Sequence, residues 1–158
     1  MKWFVPPETY NSKNPFGQYD GTYYPATKHH IGSDFKVPVG TSIIAPADGV
    51  MFKAAFNNAR GNTGIYIFSH EGTDWGLELC HLKSLPPLKS RKQGEVIAIS
   101  GNTGTATTAP HLHVVMHRDA MVTKNYSELT NEAAFVKLWR EGRLVDPYLW
   151  FWREINAL

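Results

Sequence analysis

From Thr41 to His117 the chain never sustains a helical repeat. Its apolar residues come in short runs rich in Val, Ile and Tyr, each closed by turn-forming residues, which is the pattern of short β-strands joined by turns. Strands are expected at Ile65–Ser69, Gly76–His81, Val96–Ser100 and Leu112–His117. Thr41–Ala45 and Val50–Ala54 flank the turn cluster Pro46-Ala47-Asp48-Gly49 and read as a hairpin. Residues 1–28, rich in Pro, Asn, Tyr and Gly, read as loop with a short strand or two.

One helix interrupts this pattern near the C-terminus. Thr130 suits an N-cap, and Glu132 in the first turn complements the helix dipole. Phe135, Leu138 and Trp139 fall at i, i+3, i+4 on one apolar face, and Gly142 provides the stop. The aromatic tail from Asp146 to Trp152 is expected to pack back on the sheet. The expected fold is therefore mainly β, an antiparallel sheet or sandwich with one C-terminal helical insertion, in a single domain over residues 1–158.

Composition narrows the function classes. With 42% apolar and 19% charged residues the chain can build a core and is not of the disordered class. A net charge of +2 is far from the basic footprint of a nucleic-acid binder. One cysteine, Cys80, precludes an intrachain disulfide. No run approaches the ~18 apolar residues of a transmembrane helix, and Met1–Pro7 is too short for a secretory h-region.

The histidines carry the chemistry. His30 and Asp34 form H-x-x-x-D in a turn running into a strand, because Gly32 argues against a helix there. His111 and His113 form H-x-H, and a strand's two-residue repeat puts both on one face. His81 ends the strand that begins near Leu77. Imidazole and carboxylate are zinc ligands, and catalytic zinc sites use three of them plus an open position. Each fragment alone is weak, since a lone H-x-H is more often an ordinary surface or core pair. Together they are more specific. Spacing alone still leaves open a site in which His111 and His113 both ligate, which would be a closed structural site.

His30-Ile31-Gly32-Ser33-Asp34-Phe35, Cys80-His81-Leu82 and Ala109-Pro110-His111-Leu112-His113 resemble the three signature blocks of the lysostaphin-like (LytM-type) zinc endopeptidases. Asn14-Pro15-Phe16-Gly17, Gly40–Ala45, Gly94–Ile97 and Ser100–Gly104 resemble connecting segments of that family. The resemblance implies one Zn²⁺ held by His30, Asp34 and His113, with His81 and His111 as catalytic groups beside the open position. It also implies a peptidoglycan peptide as substrate and action on the cell wall, periplasmic or extracellular, as a monomer without nucleic acid. Lacking a visible signal, the chain resembles a phage-type lytic enzyme released at lysis. Tyr24 lies where some members place a tyrosine facing substrate, and its hydroxyl is expected to donate to the tetrahedral intermediate; the alternative is a loop tyrosine stacked on its neighbours.

Ala109 in place of the common Gly, Val114-Val115 in place of Phe-Glu, and Leu79 in place of Tyr depart from the family pattern. They remove no ligand and bear on substrate preference. Residues 120–142 read as an insertion before the closing strand. His29, His70 and His117 read as non-ligands, the last because four strand residues carry it ~13 Å from His113. Cys80 reads as a small buried hydrophobe aimed away from His81 by strand alternation. Two other classes compete with the peptidase: a non-catalytic wall-binding or hydrolase-activator module of the same fold, and a sugar-phosphotransferase carrier domain, which would not need Asp34.

Overall fold

β-Alternation organises the molecule, as the strand Leu112–Arg118 illustrates. Leu112, Val114 and Met116 enter the main core, whereas Val115 points to the opposite face and joins a second apolar cluster. The computed structural model describes residues 1–118 and 129–157. In chain order its strands are β1 (Ser33–Phe35), β2 (Ser42–Ile44), β3 (Gly49–Asn57), β4 (Gly61–His70), β5 (Thr73–Leu82), β6 (Ser90–Arg91), β7 (Val96–Ile99), β8 (Leu112–Arg118) and β9 (Leu144–Val145). Two helices, α1 (Glu132–Arg140) and α2 (Pro147–Asn156), lie before and after β9. All strand pairings are antiparallel, in a large sheet ordered β1-β8-β5-β4-β3-β6 with β9 beside β1 on the edge of β8. The fold is thus mainly antiparallel β, as the sequence implies.

The expected 41–54 hairpin does not form. β2 pairs with β7, while β3 pairs with β4 and β6. The 46–49 segment still turns, but Ala45 N–H donates to the Glu95 carbonyl and Gly94 N–H to that of Ala45, so the chain is tied to β7 instead. That pairing lets Ile43, Ile97 and Ala98 cover the main core, which a local hairpin would leave open.

The N-terminal stretch forms a 3₁₀ turn at Pro7–Thr9 and isolated bridges from Tyr10 to Phe35 and Tyr19 to His29. Phe4 is fully buried between Phe35 and Phe151. The aromatic tail packs on the sheet as expected, and does so as a helix. Asp146 caps α2 through the Tyr148 and Leu149 amides, and Pro147 occupies the first turn, where a missing N–H costs nothing. Trp150 and Phe151 then close the core over Phe68 and Trp75.

α1 begins one residue later than expected, capped by Asn131, whose Oδ1 accepts from the Ala134 amide at 2.9 Å. Gly142 adopts the left-handed φ of 64° just beyond it. Phe135 and Leu138 pack on Val115 and Leu144, on the face opposite the main core, but Trp139 remains half exposed. The first part of the expected 120–142 insertion lies outside the described residues.

Candidate metal centre

Three elements bring the donors together. β1 lies antiparallel to β8 with Asp34 directly opposite His113, so both side chains occupy one face. His30 enters from the loop ahead of β1, two residues before Gly32. A Cβ on Gly32 would stand 2.2 Å from the Val114 carbonyl oxygen, so only glycine lets this segment approach β8 closely enough. Asp34 Oδ1 is 2.8 Å from His113 Nδ1 and 3.4 Å from His30 Nε2, and the two ring nitrogens are 3.1 Å apart. Donors in a tetrahedral zinc site with bonds of about 2.0–2.1 Å stand about 3.3 Å from each other, so this trio fits the ion.

Protonation states fit as well. Burial pushes the Asp34 carboxyl up, but the contacts with His113 and His30 outweigh it and hold Asp34 well below the usual carboxylate range. Burial pushes the His113 imidazole down, towards the neutral form that ligates metal. His30 donates its Nδ1–H to the Asn14 carbonyl at 3.0 Å, leaving the Nε2 lone pair facing the other donors.

His81 reaches the site by breaking strand alternation. Leu77 and Leu79 face the main core, so a regular β5 would send His81 there too. A register shift between Asn62 and Gly64 of β4 accompanies a left-handed φ of 60° at His81, and the ring swings to 4.7 Å from His111. Such a conformation in a non-glycine residue costs about 1–3 kcal/mol. The Arg60 carbonyl accepts the His81 amide, and the Thr103 carbonyl accepts His81 Nδ1–H at 2.8 Å. Burial lowers the His81 pKa to about 4, so its Nε2 carries a free lone pair at neutral pH. His111 is set by Nδ1–H donation to the Ala109 carbonyl at 2.9 Å, with Nε2 3.7 Å from Asp34 Oδ1. His30, Asp34, His81, His111 and His113 line one cavity with Tyr24 and Arg60.

The expectation for Cys80 is corrected. Cys80 lies opposite His113 in register, on the metal-facing side, because His81 and not Cys80 departs from alternation. It is fully buried and its thiol donates to the buried Glu78 carboxylate at 3.7 Å. Burial drives the Glu78 pKa up to about 7 against the pull of its ion pair with Arg60. Tyr24 stacks on His30 at 5.2 Å, and its hydroxyl lies 3.1 Å from Asn14 Nδ2. His29 stacks on Phe135 and lies 3.0 Å from Glu132, joining α1 to the loop that carries His30. His70 pairs with Glu154 and, with exposed Glu71, forms a second donor trio at the α2 end of the β4–β5 turn. His117 is fully buried.

Asn14 is the residue that sequence reasoning missed. Its amide donates to Asp34 Oδ2 at 2.8 Å while its carbonyl holds His30, so one residue orients two donors. Only its place beside the Pro15-Phe16-Gly17 block pointed to it, since a lone Asn in a loop carries no metal signal.

Comparison with known proteins agrees with this geometry. An uncharacterized metalloprotease of Haemophilus influenzae is 44% identical over 56% of this chain and 18% of its own length. The peptidoglycan DD-endopeptidase ShyC of Vibrio cholerae is 39% identical over 54% of this chain and 19% of its own. This chain thus spans about a fifth of those relatives. The catalytic domain of the antimicrobial peptidase lysostaphin from Staphylococcus simulans superposes with a TM-score of 0.59 at 26% identity, covering 72% of this chain and 84% of that one. The model of peptidase family M23 matches residues 28–126, a stretch that holds all five clustered site residues, and the chain belongs to that family.

Proposed function

We propose that the chain is a zinc endopeptidase that hydrolyses peptide bonds in the stems or cross-links of peptidoglycan. The observation that carries this is the convergence of His30, Asp34 and His113 on one point, with His81 and His111 beside it and not part of the trio. In this reading His30, Asp34 and His113 hold one Zn²⁺, and the remaining position stays open for water and substrate. Zinc there supplies a bound water with pKa lowered toward ~7 and a polarised scissile carbonyl.

The chain's own groups handle the protons. His81 is neutral at pH 7 with Nε2 free, so it takes the proton of the attacking water and returns one to the leaving nitrogen. His111, oriented by Ala109, stabilises the oxyanion in its protonated form. Tyr24 keeps its phenolic proton, since burial lifts its pKa to about 12, and so can act as a donor to the intermediate.

Release of new amino-termini from purified peptidoglycan tests the assignment. Native protein should release them, chelation should stop release, and restored zinc should bring it back, with fragment masses naming the bond. No release from folded, zinc-loaded protein on several wall types would overturn the enzymatic assignment in favour of a binding or activator module.

A further inference from the structure

A groove of about 500 Å³ leads away from Asp34 and His111, between the segment carrying Asn11 to Tyr24 and residues Thr108 to Pro110. Lys13 and Lys36 line it from two different segments, and both are exposed. Among the described residues neither ammonium has an ion-pair partner. Lys36 lies two residues beyond Asp34 on the same face of the extended chain, about 7 Å along. A bound peptide rises about 3.3 Å per residue, so Lys36 addresses groups one to three residues from the bond held at the metal centre.

The acidic groups of the groove are already engaged. Asp34 belongs to the donor trio, and Asp20 Oδ1 accepts from the Thr22 and Tyr23 amides. Setting Asp34 aside, Lys13 and Lys36 against Asp20 leave the groove one positive charge in excess. A neutral oligoglycine bridge would offer these ammoniums nothing to pair with. A stem peptide offers carboxylates at its D-glutamate and diamino-acid residues, close to the cross-link.

We propose that Lys13 and Lys36 form a carboxylate-recognition subsite, so that the substrate is a cross-linked stem peptide with free carboxylates rather than a glycine bridge. The proposal rests on the endopeptidase reading above. Exposed ion pairs are individually weak, so the two together should give a preference of about tenfold.

Synthetic D-alanyl–diamino-acid cross-linked stem peptides, in free-acid and carboxamide forms, test this alongside pentaglycine. Zinc-loaded native protein should cleave the free acid about tenfold better in kcat/KM than the carboxamide. That preference should lie in KM, shrink with added salt, and collapse towards unity in K13Q/K36Q of native melting temperature. Equal cleavage of both forms, faster cleavage of pentaglycine, or a preference that survives K13Q/K36Q would overturn the subsite. If native protein cleaves none of the three, the endopeptidase reading fails separately. Calorimetric titration with the same stem peptides then decides the subsite: tighter binding of the free acid supports it, and equal or absent binding overturns it.

Discussion

Asn14→Ala removes one hydrogen bond from the metal centre without touching a metal donor. The lost contact is the 2.8 Å amide donation to Asp34 Oδ2, while the Asn14 carbonyl that holds His30 remains on the backbone. Asp34 is buried and ionised, so the bond is charge-assisted and worth about 1.5–3 kcal/mol. At 1.36 kcal/mol per tenfold, that is roughly a 10- to 150-fold loss if it falls wholly on the zinc-loaded form. Partners that orient metal ligands typically account for about 10–100-fold in affinity, which agrees. Competitive zinc titration against a chromophoric chelator should therefore show Kd raised about 10–100-fold. Turnover should largely recover at saturating zinc, because the donors themselves are intact. Tyr24→Phe is the control: it leaves the Asn14–Asp34 bond and should move the zinc Kd less than threefold, well short of the ~tenfold lower bound for a lost orienting partner. A zinc Kd within threefold of native in Asn14→Ala would refute the claim that Asn14 organises the site.

His81→Ala should lower kcat by about 10²–10⁴ with zinc content unchanged by metal analysis, since His81 is assigned to proton transfer and not to ligation. His117 is pushed from 6.5 to about 4 by burial, so the unfolded chain accepts a proton that the folded protein refuses. Stability should accordingly fall as pH drops from about 6.5 to about 4, by up to ~3 kcal/mol from this residue. His117→Gln should flatten that acid limb in denaturant titrations, reducing the slope without abolishing it because His81 shifts over the same window. Phe151→Ala should cost about 3–5 kcal/mol by guanidinium unfolding, as this fully buried ring joins α2 to Phe4 and Phe68. Gly32→Ala should cost about 1–3 kcal/mol and weaken zinc binding in the same titration, because its methyl group would force β1 off Val114.

Much of this was legible in the sequence. Strand periodicity located β4, β5, β7 and β8 because each puts apolar residues at alternate positions against a core. The helix α1 announced itself through its 3.6-residue spacing and its glycine stop. The helix α2 did not, because its aromatic run has no clean periodicity, although Asp146-Pro147 is a legible start. The failed 41–54 hairpin shows the limit of turn chemistry: a turn cluster says that the chain bends, and burial of Ile43 against a distant strand decides what it bends toward.

The sequence by itself determined which residue types could meet at the site, since ligand chemistry is a property of side chains and H-x-H parity a property of any strand. It also carried the family resemblance, on three short blocks. What only the tertiary structure decided is the set of relations between segments far apart in the chain. Cys80 faces the metal centre because it lies opposite His113 across β5 and β8. His81 reaches the site because a register shift against β4 turns its backbone left-handed, reversing what alternation predicts. Asn14 matters because its loop lies over both Asp34 and His30. Local sequence governs φ, ψ and hydrophobic period. Partners brought together by packing, at sequence separations where local propensity has no influence, settle which group faces which.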